Sequence, residues 1–120
     1  MTTGILLFAH GSRDPNWKRP FESILAQTQE QASGPVALAF LESMQPDFAQ
    51  GIASLVGNGA NAIRVVPLFL ATGSHLRNDL PELIAQAKAT HPQVEISIAT
   101  AIGEAAVIQH AIARYASSAV

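Results

Sequence analysis

Three side chains that bind metals or move protons lie far apart along the chain. They are His10, Glu42 and His75. Two imidazoles and a carboxylate, in a chain without cysteine, suit a borderline divalent ion such as Fe, Co, Ni or Zn. Mg²⁺ is disfavoured because hard cations prefer several oxygen ligands. Two neutral histidines would also leave coordination positions open, which a structural metal site would not do.

The turns around His10 and His75 share residue types that are useful for holding an anionic ligand. A glycine lets the backbone approach a ligand, and a serine offers a hydroxyl and backbone N–H groups near a helix start. Two arginines are placed to hold carboxylates with paired hydrogen bonds. The candidate substrate-binding residues in these turns are Ser12, Arg13, Gly73, Ser74 and Arg77.

The apolar pattern predicts alternating strands and helices that would position these residues. The predicted strands are Ile5–Ala9, Val36–Leu41, Ala62–Leu70 and Val94–Ala99. Each precedes an amphipathic helix, and the apolar residues of these helices run from Phe21 to Thr28, Phe48 to Val56, Leu80 to Ala87 and Ile108 to Tyr115. Apolar strands that alternate with helices predict a parallel sheet covered on both faces. The predicted fold is therefore α/β, a three-layer αβα arrangement of the flavodoxin-like kind.

Several residues mark where the predicted helices begin. Asp47 and Gln50 have the spacing of a capping box. Asp14 is expected to cap the entry to the first helix or to pair with Arg13, and Asp79 is expected to cap the third helix. Pro67 is unusual in a central strand, because proline cannot donate a hydrogen bond to the sheet.

The predicted topology brings the three reactive side chains to one edge of the sheet. Ligands of open parallel sheets bind beyond the carboxyl ends of the strands, where the strand order reverses. With the order 2-1-3-4, the first and third strands are neighbours. His10 and His75 would then share one crevice, with Glu42 beside them.

Composition limits the classes of function. The 120 residues predict a single domain over 1–120, with 48% hydrophobic but only 13% charged residues, about half the usual share of charge. Such an excess of apolar residues indicates a buried interface or a ligand groove. The net charge of −2 argues against nucleic acid and anionic membranes as partners. No apolar run is long enough to span a bilayer and no secretory signal is seen, so a cytoplasmic location is expected.

Other chemistries have little support in the sequence. Ser12 lies outside a G-x-S-x-G elbow, which disfavours a serine hydrolase. The absence of Walker A and G-x-G-x-x-G motifs argues against a nucleotide cofactor and predicts activity without ATP.

Three segments together resemble a known family, the small class II tetrapyrrole chelatases of the short CbiX/SirB type. The matching segments are Leu6–Asp14, Phe40–Glu42 with Pro46, and Val66–Leu70 followed by Gly73–His75 and Asp79–Pro81. They occur in the family's order and spacing over nearly the whole chain. Two departures are Gln45, where relatives often carry an acid, and Gly103-Glu104-Ala105, where many carry a His-Pro pair.

The resemblance implies a chelatase-like fold and the insertion of Co²⁺, Fe²⁺ or Ni²⁺ into sirohydrochlorin, in cobalamin or siroheme biosynthesis. It implies that His10 and His75 bind the metal and assist deprotonation of the pyrrole nitrogens. Glu42 matches an acidic family position and would be a proton acceptor or a further ligand. Sirohydrochlorin carries eight carboxylates, for which Arg13, Arg77 and Lys18 would be partners.

The resemblance also bears on oligomeric state. Long relatives contain two such domains that face each other across one cleft, whereas this chain is predicted to contain one. A C₂ homodimer is therefore expected to bury the excess of apolar surface.

Two other functions are compatible with the same sequence features. One is a non-catalytic carrier of metal or tetrapyrrole, and the other is a flavodoxin-like interaction module.

Overall fold

The buried apolar strands form a four-stranded parallel sheet. The computed structural model describes residues 1–118, apart from the side chain of His75. The strands are β1 (Thr3–Ala9), β2 (Val36–Phe40), β3 (Ala62–Pro67) and β4 (Glu95–Ile98). They lie in the order β2-β1-β3-β4, and every pairing is parallel. The predicted α/β fold and strand order are confirmed.

Four helices connect or follow the strands. They are α1 (Arg19–Gln31), α2 (Phe48–Gly57), α3 (Ser74–Thr90) and α4 (Ala106–Ser118). Short 3₁₀ helices at Pro15–Lys18 and Ile102–Glu104 precede α1 and α4. Within residues 1–118, no helix has both the length and the apolar character needed to cross a bilayer.

Alternation along the strands divides the apolar side chains between two faces of the sheet. On one face α2 and α3 bury the larger core, built around Leu6, Phe8, Ile63 and Val65. On the other face α1 and the 3₁₀ helix before it cover β1 and β2. That second cluster consists of Leu7, Ala9, Leu38 and Phe40, packed under Trp17, Phe21 and Leu25.

The predicted caps of the first two helical segments are present. The Asp47 carboxylate accepts a hydrogen bond from the Gln50 backbone N–H at 2.8 Å. In return the Gln50 side-chain oxygen accepts from the Asp47 backbone N–H, also at 2.8 Å, which completes the capping box. The Asp14 carboxylate accepts from the Asn16 N–H at 2.9 Å and so caps the 3₁₀ helix before α1.

The start of α3 differs from the prediction. The helix begins at Ser74 after Gly73, and its first turn is closed by a 3.1 Å bond from the Arg77 N–H to the Gly73 carbonyl. Asp79 therefore lies inside α3 and does not cap it. Leu76 is buried four residues before Leu80, so the apolar stripe of the helix starts earlier than expected.

The third strand is also shorter than predicted. It ends at Pro67 instead of Leu70, and Pro67 occupies its last paired position, opposite Phe8. Leu68, the next residue, again donates a backbone hydrogen bond to β1, from its N–H to the Phe8 carbonyl at 2.8 Å. A proline at the end of a central strand costs the sheet little hydrogen bonding.

Candidate active site

The backbone pairing of β1 and β2 continues past the ends of both strands. The Leu41 N–H donates to the Ala9 carbonyl at 2.9 Å, and the Glu42 N–H donates to the His10 carbonyl at 3.1 Å. His10 and Glu42 are therefore held side by side by main-chain hydrogen bonds at the carboxyl edge of the sheet. The structure thus places Glu42 at the same edge of the sheet as His10, on the side where the predicted topology put it.

Gly11 allows this close approach of the two loops. Its φ of +97° lies in the left-handed region, and a Cβ built on it would overlap the carbonyl oxygen of Glu42. From the sequence, the glycines near the histidines are expected to make room for a ligand. For Gly11 the structure gives a different reason, because its missing side chain makes room for the neighbouring backbone.

The side chains of His10 and Glu42 meet directly. His10 Nε2 lies 2.8 Å from Glu42 Oε1, and the two side chains are 52% and 56% exposed. The Phe69 ring stands edge-on to the imidazole, with 6.2 Å between ring centroids. The result is an imidazole with a carboxylate partner on one side, an aromatic wall on another, and an open side facing solvent.

The segment that follows β3 lies beside His10 and leads into α3. The bond from the Leu68 N–H to the Phe8 carbonyl fixes the start of this segment against β1. His75 is the second residue of α3, and its side chain lies outside the described residues. Among the side chains that are described, no three His, Cys, Asp or Glu residues are grouped as a metal site.

The other candidate residues lie in the two turns around this edge. Ser12 is half-buried, and its hydroxyl accepts from the Asp14 N–H at 3.1 Å. The Arg77 guanidinium donates to the Thr72 carbonyl at 3.1 Å, across the turn that starts α3. Gly73 and Ser74 are exposed, and a side chain at Gly73 would meet nothing within 4 Å.

Two cations near His10 have different surroundings. Arg13 is exposed, and in the described part of the chain it forms no salt bridge, so the alternative pairing with Asp14 is not seen. The Lys18 ammonium lies over the Phe40 ring, 5.5 Å from its centroid. Trp17, which stacks on Phe21, covers the edge of the second core cluster.

Comparison with known proteins identifies relatives over most of the chain. The model of the CbiX family matches residues 4–119. A sirohydrochlorin cobaltochelatase of Saccharolobus solfataricus is 34% identical over 106 residues, which are 83% of this chain and 82% of that protein. A sirohydrochlorin ferrochelatase of Bacillus subtilis is 36% identical over 104 residues, which are 86% of this chain but only 40% of that protein.

A solved structure shares the fold. It is the sirohydrochlorin chelatase SirB of Bacillus subtilis subspecies spizizenii in complex with cobalt, with a TM-score of 0.84 and 33% identity. The match covers 98% of this chain and 51% of SirB. This chain thus spans most of the archaeal relative and about half the length, or less, of the Bacillus proteins.

Proposed function

Because the chain belongs to the CbiX family, we propose that it is a sirohydrochlorin chelatase, a lyase that inserts a divalent metal ion into the macrocycle. Relatives named for cobalt and for iron make Co²⁺ and Fe²⁺ the first candidates as metal substrates, and Ni²⁺ is the third. The single observation that supports the proposal most is the exposed His10–Glu42 pair at the carboxyl edge of the sheet.

The reaction needs ligand exchange and proton removal, with no change of oxidation state. The metal ion forms bonds to four pyrrole nitrogens while two N–H protons leave, so one M²⁺ enters and two H⁺ are released. The protein must hold the macrocycle, present a partly desolvated ion and accept protons. Side chains suffice for these tasks, and the proposal includes no nucleotide cofactor.

The contact with Glu42 prepares His10 for both metal binding and proton transfer. When Nε2 carries the hydrogen and donates it to Oε1, the lone pair stays on Nδ1. That nitrogen can bind the incoming ion or accept a pyrrole proton, and the carboxylate stabilises the imidazolium that results. His75, at the start of α3, is proposed as the second metal ligand and proton acceptor.

The turns around the site are proposed to bind the carboxylates of the substrate. Arg13 is exposed beside His10, and Arg77 lies in the first turn of α3. The Ser74 hydroxyl and the N–H groups of that turn favour an anion, as helix N-termini do. Ser12 and Gly73 shape the two turns, and Lys18 contributes a further positive charge.

The remaining features of the proposal concern the protein as a whole. Residues 1–120 form one chelatase-like domain, and a second copy of the chain closes the site over the macrocycle as a homodimer. The protein acts in the cytoplasm, without nucleic acid or membrane as a partner. The proposed homodimer of single domains is supported by the low charge content of the chain and by the greater length of the Bacillus relatives.

A turnover assay tests the proposal. The protein is mixed with excess sirohydrochlorin and Co²⁺, Fe²⁺ or Ni²⁺, and the visible spectrum is followed against a protein-free control. A chelatase converts many equivalents of sirohydrochlorin per chain, at a rate proportional to protein concentration. A single stoichiometric spectral change would instead identify a carrier, and the absence of both metal and tetrapyrrole binding would favour an interaction module.

Replacing the carboxylate of Glu42 tests its role beside His10. We expect Glu42→Gln to lower kcat by about 10- to 100-fold, as for other partners of metal-binding histidines, because the amide carries no charge to stabilise the imidazolium. Steady-state rates with Co²⁺ give the measurement.

Glu104→Gln is the matched control, since it removes an exposed carboxylate from the 3₁₀ helix before α4. Its kcat should equal that of the unmodified protein. A wild-type kcat in Glu42→Gln would show that hydrogen bonding alone is enough at this position.

A further inference from the structure

Asp79 is a half-buried acidic residue that lies inside α3 and does not cap it. It follows His75 by four residues. Residues four apart in an α-helix lie on the same face, one turn apart, with about 5–6 Å between their Cβ atoms. Polar side chains at this spacing form hydrogen bonds and ion pairs with each other. The helix therefore places a carboxylate one turn away from the residue that is proposed as the second metal ligand.

A groove beside α3 shows which part of the site this face of the helix borders. The groove measures about 280 Å³, and Leu41 lines it from the end of β2. Along the helix its lining residues are Asp79, Glu82, Leu83 and Gln86. Leu41 directly precedes Glu42, and the Glu42 N–H donates to the His10 carbonyl at 3.1 Å. Asp79 thus lies on the face of α3 that borders the loop carrying the His10–Glu42 pair.

The opposite face of α3 borders β4. Arg77 lines a cleft of about 220 Å³ together with Ile98, the last residue of β4, and Ala99. His75 and Asp79 are each two residues away from Arg77 along the chain, and two residues turn an α-helix by about 200°. Both are therefore placed on the side of α3 that faces away from β4, toward the groove.

We propose that Asp79 is the positioning residue of His75, in the way that Glu42 is a partner of His10; this inference rests on the proposed function. A metal-binding imidazole commonly donates its second ring N–H to a carboxylate, which fixes the tautomer and the orientation of the ring. Chelation releases two protons, and the site then contains two imidazoles that each have a carboxylate partner. Asp79 acts through His75 and binds neither the metal nor the macrocycle.

The two pairs are built by different parts of the fold. Glu42 reaches His10 through the continued pairing of β1 and β2, whereas Asp79 and His75 belong to a single helix. The second pair therefore needs no contact between separate elements of the fold. It forms within each chain, whatever the association of one copy with another.

The Asp79→Ala variant tests the inference, and Glu82→Ala is the matched control. Glu82 is an exposed carboxylate of the same helix and groove, but it is seven residues from His75, two turns away. With Co²⁺ and sirohydrochlorin, Asp79→Ala should lower kcat by about 10- to 100-fold at an unchanged KM for sirohydrochlorin, as loss of the partner of a metal-binding histidine does. Glu82→Ala should keep the wild-type kcat. Asp79→Glu, which retains the charge, should recover most of the loss.

Nitrogen NMR of the metal-free protein gives a readout of His75 itself. A neutral imidazole has two tautomers, which the ring nitrogen shifts distinguish at alkaline pH. The His75 signals are assigned by their absence from the spectrum of His75→Ala. We expect a single His75 tautomer in the unmodified protein and in Glu82→Ala, and a mixture of tautomers in Asp79→Ala, with the signals of His10 unchanged.

The NMR measurement requires neither metal nor sirohydrochlorin. A protein without turnover, but with a single His75 tautomer that depends on Asp79, would therefore contradict the proposed function and support this inference. A mixture of His75 tautomers in the unmodified protein would overturn the inference, and that result needs no variant to fold. A His75 tautomer that is unchanged in Asp79→Ala, or equal kcat values in Asp79→Ala and Glu82→Ala, would overturn it as well.

Discussion

The His10→Ala variant is expected to insert metal into sirohydrochlorin about 10²- to 10⁴-fold more slowly than the unmodified protein, the range for loss of a general acid–base group. The substitution removes the nitrogen that would bind the ion and accept the pyrrole proton, and it leaves Glu42 without its 2.8 Å partner. His75→Ala should have a loss of similar size. Initial rates with Co²⁺ and with Fe²⁺, followed by visible absorption, give the measurement.

The fold should survive the loss of His10. Its side chain is half exposed and belongs to neither core cluster, so the far-UV spectrum and melting temperature should change little. His110→Ala is the matched control, because His110 is exposed on the polar side of α4. Full activity in both His10→Ala and His75→Ala would remove the basis of the site assignment.

The Gly11→Ala variant is expected to lose about 3 kcal/mol of unfolding free energy, the sum of left-handed strain and a forced backbone shift. Alanine disfavours the φ of +97°, and its Cβ would overlap the carbonyl oxygen of Glu42. The two loops must move apart, which also weakens the bond from the Glu42 N–H to the His10 carbonyl. Chelatase activity should fall together with stability.

Urea denaturation measures the loss, and Gly59→Ala separates its two causes. Gly59 has a φ of +96°, but a Cβ there would meet nothing within 4 Å. Gly59→Ala should therefore lose only about 1 kcal/mol, from strain alone. Equal losses in the two variants would show that the contact between Gly11 and the Glu42 carbonyl has no energetic effect.

The sequence was sufficient for the sheet because its strands are short apolar runs between clear turn signals. The same rules predicted the capping box at Asp47, whose signal lies within four residues. Glu42 could be placed on the same edge of the sheet as His10 because each residue comes just after one of two neighbouring strands. These predictions depend on local pattern and on the common direction of parallel strands.

The predictions that failed depended on tertiary contacts. Asp79 has the side chain of a helix cap, but it lies inside α3, because burial of Leu76 extends the helix back to Ser74. The α4 segment has the amphipathic pattern of a packed helix, and such a pattern does not specify which surface the helix packs against. The role of Gly11 was also not predictable, because its neighbour Glu42 is distant in sequence.

The continuation of the β1–β2 pairing beyond the strands makes strand length a determinant of the chemistry. His10 and Glu42 meet because each follows a paired residue at a fixed number of positions along the chain. His10 comes directly after Ala9, and Glu42 is the second residue after Phe40. Inserting one residue within Val36–Phe40 would place Leu41 where Glu42 now stands, since side chains alternate along a strand. Conservative substitutions inside these strands leave the number of residues between the paired positions and the site unchanged. Relatives and engineered variants can therefore exchange one apolar residue of β2 for another, whereas a single insertion there would replace the carboxylate at the reacting edge with the side chain of Leu41, and a single deletion would replace it with that of Ser43.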